Sequence, residues 1–121
     1  MVASIFRDGT ERTSVDDLAA ALVQAWSRET SSLWSPENPA RGQCGVTALL
    51  AQELLGGAIV KTHTAVGPHF YNCIDGQRVD LTASQFDQLP TYQDLPSSRE
   101  EAESDCTAEQ LSALRRAFCL S

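Results

Sequence analysis

At 121 residues the chain has room for one small hydrophobic core, so a single compact domain over residues 1–121 is expected. Hydrophobic residues at 42% and charged residues at 21% are ordinary for a globular protein and exclude wholesale disorder. Sixteen acidic residues against nine basic ones leave a net charge of −7, and the basic residues are scattered apart from Arg115-Arg116. That pattern excludes the clustered positive field by which nucleic acid or an anionic membrane surface is bound.

Met1–Asp8 holds no continuous apolar leader, and no run approaches the length that spans a bilayer, so a cytoplasmic location is expected. Cys44, Cys73, Cys106 and Cys119 are far apart and form no Cys-x-x-Cys pair. Reduced thiols are therefore expected rather than a disulfide framework.

In chain order, the first expected helix runs from about Ser14 to Ser27. Ser14 and Asp17 stand at capping-box spacing, and Val15, Leu18, Ala19, Leu22 and Trp26 share one face. From Arg28 to Gln43 the chain is polar, carries Pro36 and Pro39, and reads as a loop with Trp34 as its large apolar residue. A second helix is expected from Cys44 to the Gly56-Gly57 stop, with Val46, Leu49, Leu50 and Leu54 buried on more than one side.

Three strands follow, over Ala58–Ala65, His69–Ile74 and Gln77–Thr82. Asp75-Gly76 between the last two is a strong signal for a two-residue hairpin, because both central residues need positive φ. If Ile74 faces Gln77, then Cys73 faces Arg78, Tyr71 faces Asp80 and His69 faces Thr82. Alternation then places His69 and Asp80 on one sheet face as diagonal neighbours. Farther on, Phe86 is an expected anchor, Pro90 and Pro96 break regularity, and the acidic Ser97–Asp105 stretch reads as a solvated face or loose helix. Thr107 with Gln110 opens a last helix whose buried stripe is Leu111, Leu114 and Phe118. The fold class expected is α+β: a cysteine-bearing helix packed on a small antiparallel sheet, with flanking N- and C-terminal helices.

A cysteine at a helix start, followed by a histidine and an aspartate on adjacent strands, carries the parts of an activated thiol. The helix start favours thiolate, an imidazole can take the proton, and a carboxylate can hold the imidazole. Cys44, His69 and Asp80 are thus the candidate catalytic set. Gln43 reads either as an oxyanion-hole amide or as a helix-start hydrogen bond. Trp34 and Asn72 are candidates to line a substrate pocket, Asn72 alternatively satisfying backbone groups within the sheet. His63 reads as exposed or structural. The substrate expected is an acyl or amide compound, peptides and proteins included, with no cofactor and no metal. Two rival readings are a non-catalytic module that binds a peptide or protein, and a zinc site drawing on Cys44, His63, His69, Cys73 and Asp80, whose spacings match no short metal motif.

The combination Arg41-Gly42-Gln43-Cys44, Thr47-Ala48, Gly56-Gly57, His69-Phe70-Tyr71-Asn72, Asp75-Gly76, Val79-Asp80-Leu81-Thr82 and Gln85-Phe86 resembles the YunG-like family of small bacterial proteins. The resemblance covers Trp34 to Phe86. More remotely, the order of cysteine, histidine and aspartate is similar to that of transglutaminase-like and papain-like thiol enzymes. That similarity implies a papain- or transglutaminase-like core, with Cys44 as nucleophile, His69 as base and Asp80 as the orienting acid.

Overall fold

The structure, a computed structural model, describes residues 14–120. The reading of Met1–Asp8 as lacking an apolar leader lies outside the described residues. Those residues form an α+β fold of helices α1 (Val15–Ala25), α2 (Cys44–Leu55), α3 (Arg99–Glu103) and α4 (Ala108–Ala117), and strands β1 (Ala58–Thr64), β2 (Gly67–Ile74), β3 (Gln77–Val79) and β4 (Leu95–Pro96). The strands build one antiparallel sheet in the order β3-β2-β1-β4. No helix among the described residues is long and apolar enough to cross a membrane.

Local chemistry sets the helix starts. The Ser14 hydroxyl accepts the Asp17 N–H at 3.0 Å, satisfying one of the donors that a helix start leaves unpaired. At the other end of the chain Thr107 and Gln110 form a reciprocal capping box, and Leu111, Leu114 and Phe118 of the helix it opens are buried. Ser98 caps α3 by accepting the Glu101 N–H, which turns part of the acidic stretch into a short helix.

Helix α2 occupies the centre. Gly45 through Ala51 are all buried, so its first two turns have no solvated side. Trp26, at the end of α1, donates its indole N–H to the Thr47 hydroxyl at 2.9 Å. From β2 the Asn72 side-chain amide donates to the Ala48 carbonyl at 3.1 Å, and Arg99 of α3 reaches the Leu49 carbonyl at 3.3 Å. Around these polar ties Leu18, Leu22, Leu49, Leu50, Phe70 and Leu114 close an apolar core. Each such side chain contributes roughly 1.5–3 kcal/mol by leaving water.

The β2–β3 turn has Asp75 at φ +52° and Gly76 at φ +76°, the positive pair that a right-twisted two-residue hairpin needs. Ile74 pairs with Gln77, Cys73 with Arg78 and Asn72 with Val79, the register expected from the turn. The ladder then stops, so the expected Tyr71–Asp80 and His69–Thr82 pairs do not form. Asp80 takes the chain out of the sheet: its Oδ1 accepts the Thr82 N–H at 3.2 Å and its carbonyl the Ala83 N–H at 3.4 Å, leading into a 3₁₀ turn over Ala83–Gln85. Strand β4 escapes the sequence reading because a two-residue strand containing Pro96 shows no alternation. The long loop before α2 is tied across its base, where the Ser31 hydroxyl donates to the Arg41 carbonyl at 3.1 Å.

Thr47→Val keeps the volume of a fully enclosed position but orphans the Trp26 indole N–H. Its unfolding free energy is expected to fall by about 1–3 kcal/mol in urea denaturation, with the far-ultraviolet circular dichroism unchanged.

Candidate functional site

Side chains of β2 alternate between two differently covered faces. Phe70 and Asn72 turn toward α2, while His69 and Tyr71 alternate to the other side of the strand. Residues after β3 pack on that side. Phe86 stands edge-on to the His69 ring at 4.8 Å between centroids, and Tyr92 stands edge-on to Tyr71 at 5.1 Å.

Within this cover His69 Nε2 lies 2.8 Å from Asp80 Oδ2, and the two side chains are 4% and 6% exposed. Asp80 also accepts the Tyr92 hydroxyl at 2.6 Å and the Thr82 N–H. Burial alone would favour the neutral carboxyl. The hydrogen bonds from His69, Tyr92 and Thr82 and the attraction of the imidazole outweigh it, holding Asp80 below the ordinary carboxylate range. An ionised Asp80 takes the proton on Nε2, and Nδ1 is left as the ring nitrogen able to accept another.

Cys44 is the first residue of α2, and it shares with His69 a cavity of about 420 Å³ whose lining also includes Phe86, Asp105, Gln110 and Arg41. The thiol donates to Asp105 Oδ2 at 3.3 Å, and the same oxygen accepts the Gly45 N–H at 3.1 Å. Partial burial, then the charge of Asp105 and its hydrogen bond, push the thiol up to about 12, against the opposite pull of the Phe70 and Gly45 backbone. Asp105 is itself raised by burial of its carboxyl. In this arrangement Cys44 is a protonated thiol.

A profile described as YunG protein matches residues 14–120. The chain belongs to the YunG family. It is 52% identical over 97 residues to "Uncharacterized protein YunG" of Bacillus subtilis (strain 168), a match covering 80% of this chain and 84% of the relative. No solved structure matches.

In this YunG-family fold Cys44 and His69 line one cavity and His69 meets Asp80 directly, whereas the other candidates stand apart from the cavity lining. Asn72 spends its amide on α2. Gln43 is fully buried at the N-cap of α2 yet makes no capping bond, and both polar atoms of its side chain lack a protein partner. Trp34 is half-buried with its indole N–H unpaired. His63 is exposed, and all four cysteines are free thiols. Among the described residues no three His, Cys, Asp or Glu side chains converge as metal ligands.

Sequence reasoning missed Tyr92 and Asp105. Tyr92 sits in a proline-broken coil with no periodicity, but an aromatic there was a signal of its own. Asp105 lies in an acidic stretch that reads as solvated, and its one local signal is Gly45: a Cβ at that position would lie 2.5 Å from the Asp105 carboxylate oxygen. Only glycine admits the contact.

Because Asp80 is lowered on folding from an ordinary value of 3.8, it stabilises the fold above that pH, and the contribution is lost as pH falls through the folded value. Asp80→Asn should therefore be less stable than wild type by about 1–3 kcal/mol at neutral pH, with the gap closing as pH falls below 3.8 in urea unfolding. Tyr92→Phe, which removes one donor and keeps the ring, should lose less in the same direction.

Proposed function

We propose that the cavity is the active site of a thiol-dependent acyl-transfer enzyme with Cys44 as nucleophile, His69 as base and Asp80 as the residue that orients the imidazole. The observation that carries this reading is the buried His69–Asp80 pair beside the Cys44 cavity: Nε2 is held by a carboxylate below its ordinary range, which leaves Nδ1 to take a proton. The order of these three residues is similar to that of transglutaminase-like and papain-like enzymes.

In the first step the Cys44 S–H proton passes to His69 Nδ1 as sulfur attacks the carbonyl carbon of an amide, ester or thioester. The carbonyl oxygen gathers negative charge beside the N-terminus of α2, where backbone N–H groups stabilise it. Collapse of the tetrahedral species breaks the bond from carbon to the leaving nitrogen, oxygen or sulfur. That atom takes the proton back from the imidazolium, and an acyl thioester remains on Cys44. Water or an amine then attacks the thioester carbon, giving up its proton through His69 and restoring the thiol. Gln43, fully buried and outside the cavity lining, is left out of this step, and the oxyanion is assigned to backbone N–H groups alone.

The cavity rim favours an acyl chain with an apolar group. Leu33 and Val66, which are 54% and 94% exposed, stand among its lining residues with Pro68 and Phe86. A peptide or protein segment matches such a rim better than a small polar amide does.

A second reading has one specific observation behind it. The thiol is held protonated by Asp105, as suits a module that binds a peptide in the same cavity and performs no chemistry.

The two readings are separated by trapping. After incubation with a panel of aminoacyl and peptidyl thioesters, intact-mass and peptide mass spectrometry should find an acyl adduct on Cys44. It should be absent in Cys44→Ala and formed about 100- to 10,000-fold more slowly in His69→Ala. Binding of the panel with no adduct on Cys44 would favour the binding module, and adduct formation indifferent to His69 would remove His69 from the mechanism.

A further inference from the structure

Asp105 lies in the turn between α3 and α4, anchored by its N–H on the Ala102 carbonyl at 3.0 Å, and the residue as a whole is exposed. One of its carboxylate oxygens does two things at once, accepting the Cys44 thiol and the Gly45 N–H. These are the two groups that an acyl substrate needs. The sulfur must lose its proton, and a free amide at the start of α2 must meet the carbonyl oxygen. A carboxylate oxygen in that place imitates the charge and position of the developing oxyanion.

We propose that Asp105 is a displaceable latch on the Cys44 site: its carboxylate keeps the thiol proton on sulfur and covers the Gly45 N–H until a substrate's acyl oxygen takes its place. The inference rests on the thiol-enzyme reading for its purpose, but the latch itself rests on the contacts of Asp105.

Steric and electrostatic facts agree with a latch rather than a permanent tie. Helix α2 carries no acidic residue in its first turn and no side-chain cap, so Asp105 supplies from another element the negative charge that the helix start favours. Gly45 is what lets it in, since a Cβ there would also lie 2.7 Å from the Asp105 Cβ and 3.0 Å from the Ala102 carbonyl oxygen. Release costs little cover, because the exposed turn gives the carboxylate water to move into. The charged and titratable groups facing this thiol–carboxylate pair are His69 from β2, with Asp80 behind it, Arg41 from the loop before α2, and Cys106 beside Asp105. His69 favours the ionised carboxylate, and no Lys or Arg among the described residues forms an ion pair with Asp105.

The test is the pH dependence of iodoacetamide labelling, resolved by peptide mass spectrometry, with Cys73 and Cys119 as internal controls. Asp105→Asn keeps the side-chain shape and an acceptor for the Gly45 N–H but removes the charge. It should move the Cys44 profile to lower pH and raise its labelling at neutral pH by about tenfold or more, with the controls unchanged. A Cys44 profile that stays in place or moves to higher pH overturns the latch. The double variant Asp105→Asn with His69→Ala separates the two proposals. If the Cys44 profile returns toward higher pH, latch and imidazole act on one thiol. If the profile stays low without His69, the latch stands and the thiol-enzyme reading fails.

Should the Asp105 variant not fold, carbon-13 NMR of the Asp105 carboxyl in wild type and Cys44→Ala decides. The thiol's hydrogen bond lowers Asp105, so its loss should raise the carboxyl titration. No difference between the two proteins overturns the contact on which the proposal depends.

Discussion

Everything in this molecule is referred to α2, a helix with no solvated side over its first two turns. A helix so enclosed must find partners in every direction, and the fold supplies them from α1 through Trp26, from β2 through Phe70 and Asn72, and from α3 through Arg99. The consequence is positional. Because its body is clamped, the first turn of α2 is held still, and Cys44 meets β2 and the α3–α4 turn at fixed places. Among the described residues the buried side-chain donors left without a protein partner are the Trp34 indole N–H and the Gln43 amide.

Two aspartates in the same region are driven in opposite directions by the same physics. Asp80 has its side chain almost wholly covered, yet donors from three residues surround it, so the charged form wins over the cost of burial. Asp105 is more open, but its donors are a thiol and a single amide, too weak to offset even partial burial of the carboxyl, and it is raised. Burial by itself therefore ranks these groups wrongly. The number and strength of the donors decides.

Tyr71, Arg78, Tyr92 and Asp94 interlock over the sheet face that carries His69: Asp94 accepts from the Tyr71 hydroxyl and from Arg78 in a bidentate pair, and the Arg78 guanidinium lies 4.7 Å from the centre of the Tyr92 ring. The pairing holds Asp94 down at about 2, while burial and the Asp94 bond push Tyr71 up to about 12. Tyr92 is thereby oriented at one end by Arg78 and at the other delivers its hydroxyl to Asp80. The network runs from buried Tyr71 through half-buried Tyr92 to the exposed Arg78–Asp94 pair, and its link to the His69–Asp80 pair is the Tyr92 hydroxyl.

The sequence by itself determined the features governed by residues a few positions apart. Ser14 and Thr107 announce helix starts because capping spans three residues, and Asp75-Gly76 sets the hairpin register because the turn imposes it. That register anticipates His69 and Asp80 as neighbours, although the ladder ends at Val79 and Asp80 makes the contact from the coil just beyond the strand. What only the tertiary structure decided is the state of the thiol. Asp105 lies 61 residues from Cys44 in a stretch that reads as solvated, and Tyr92 comes from a coil without periodicity. Their contacts arise from how two short helices and a proline-broken segment dock against α2 and the sheet. Such docking is fixed by the shape of the whole core, which no local pattern in the chain encodes.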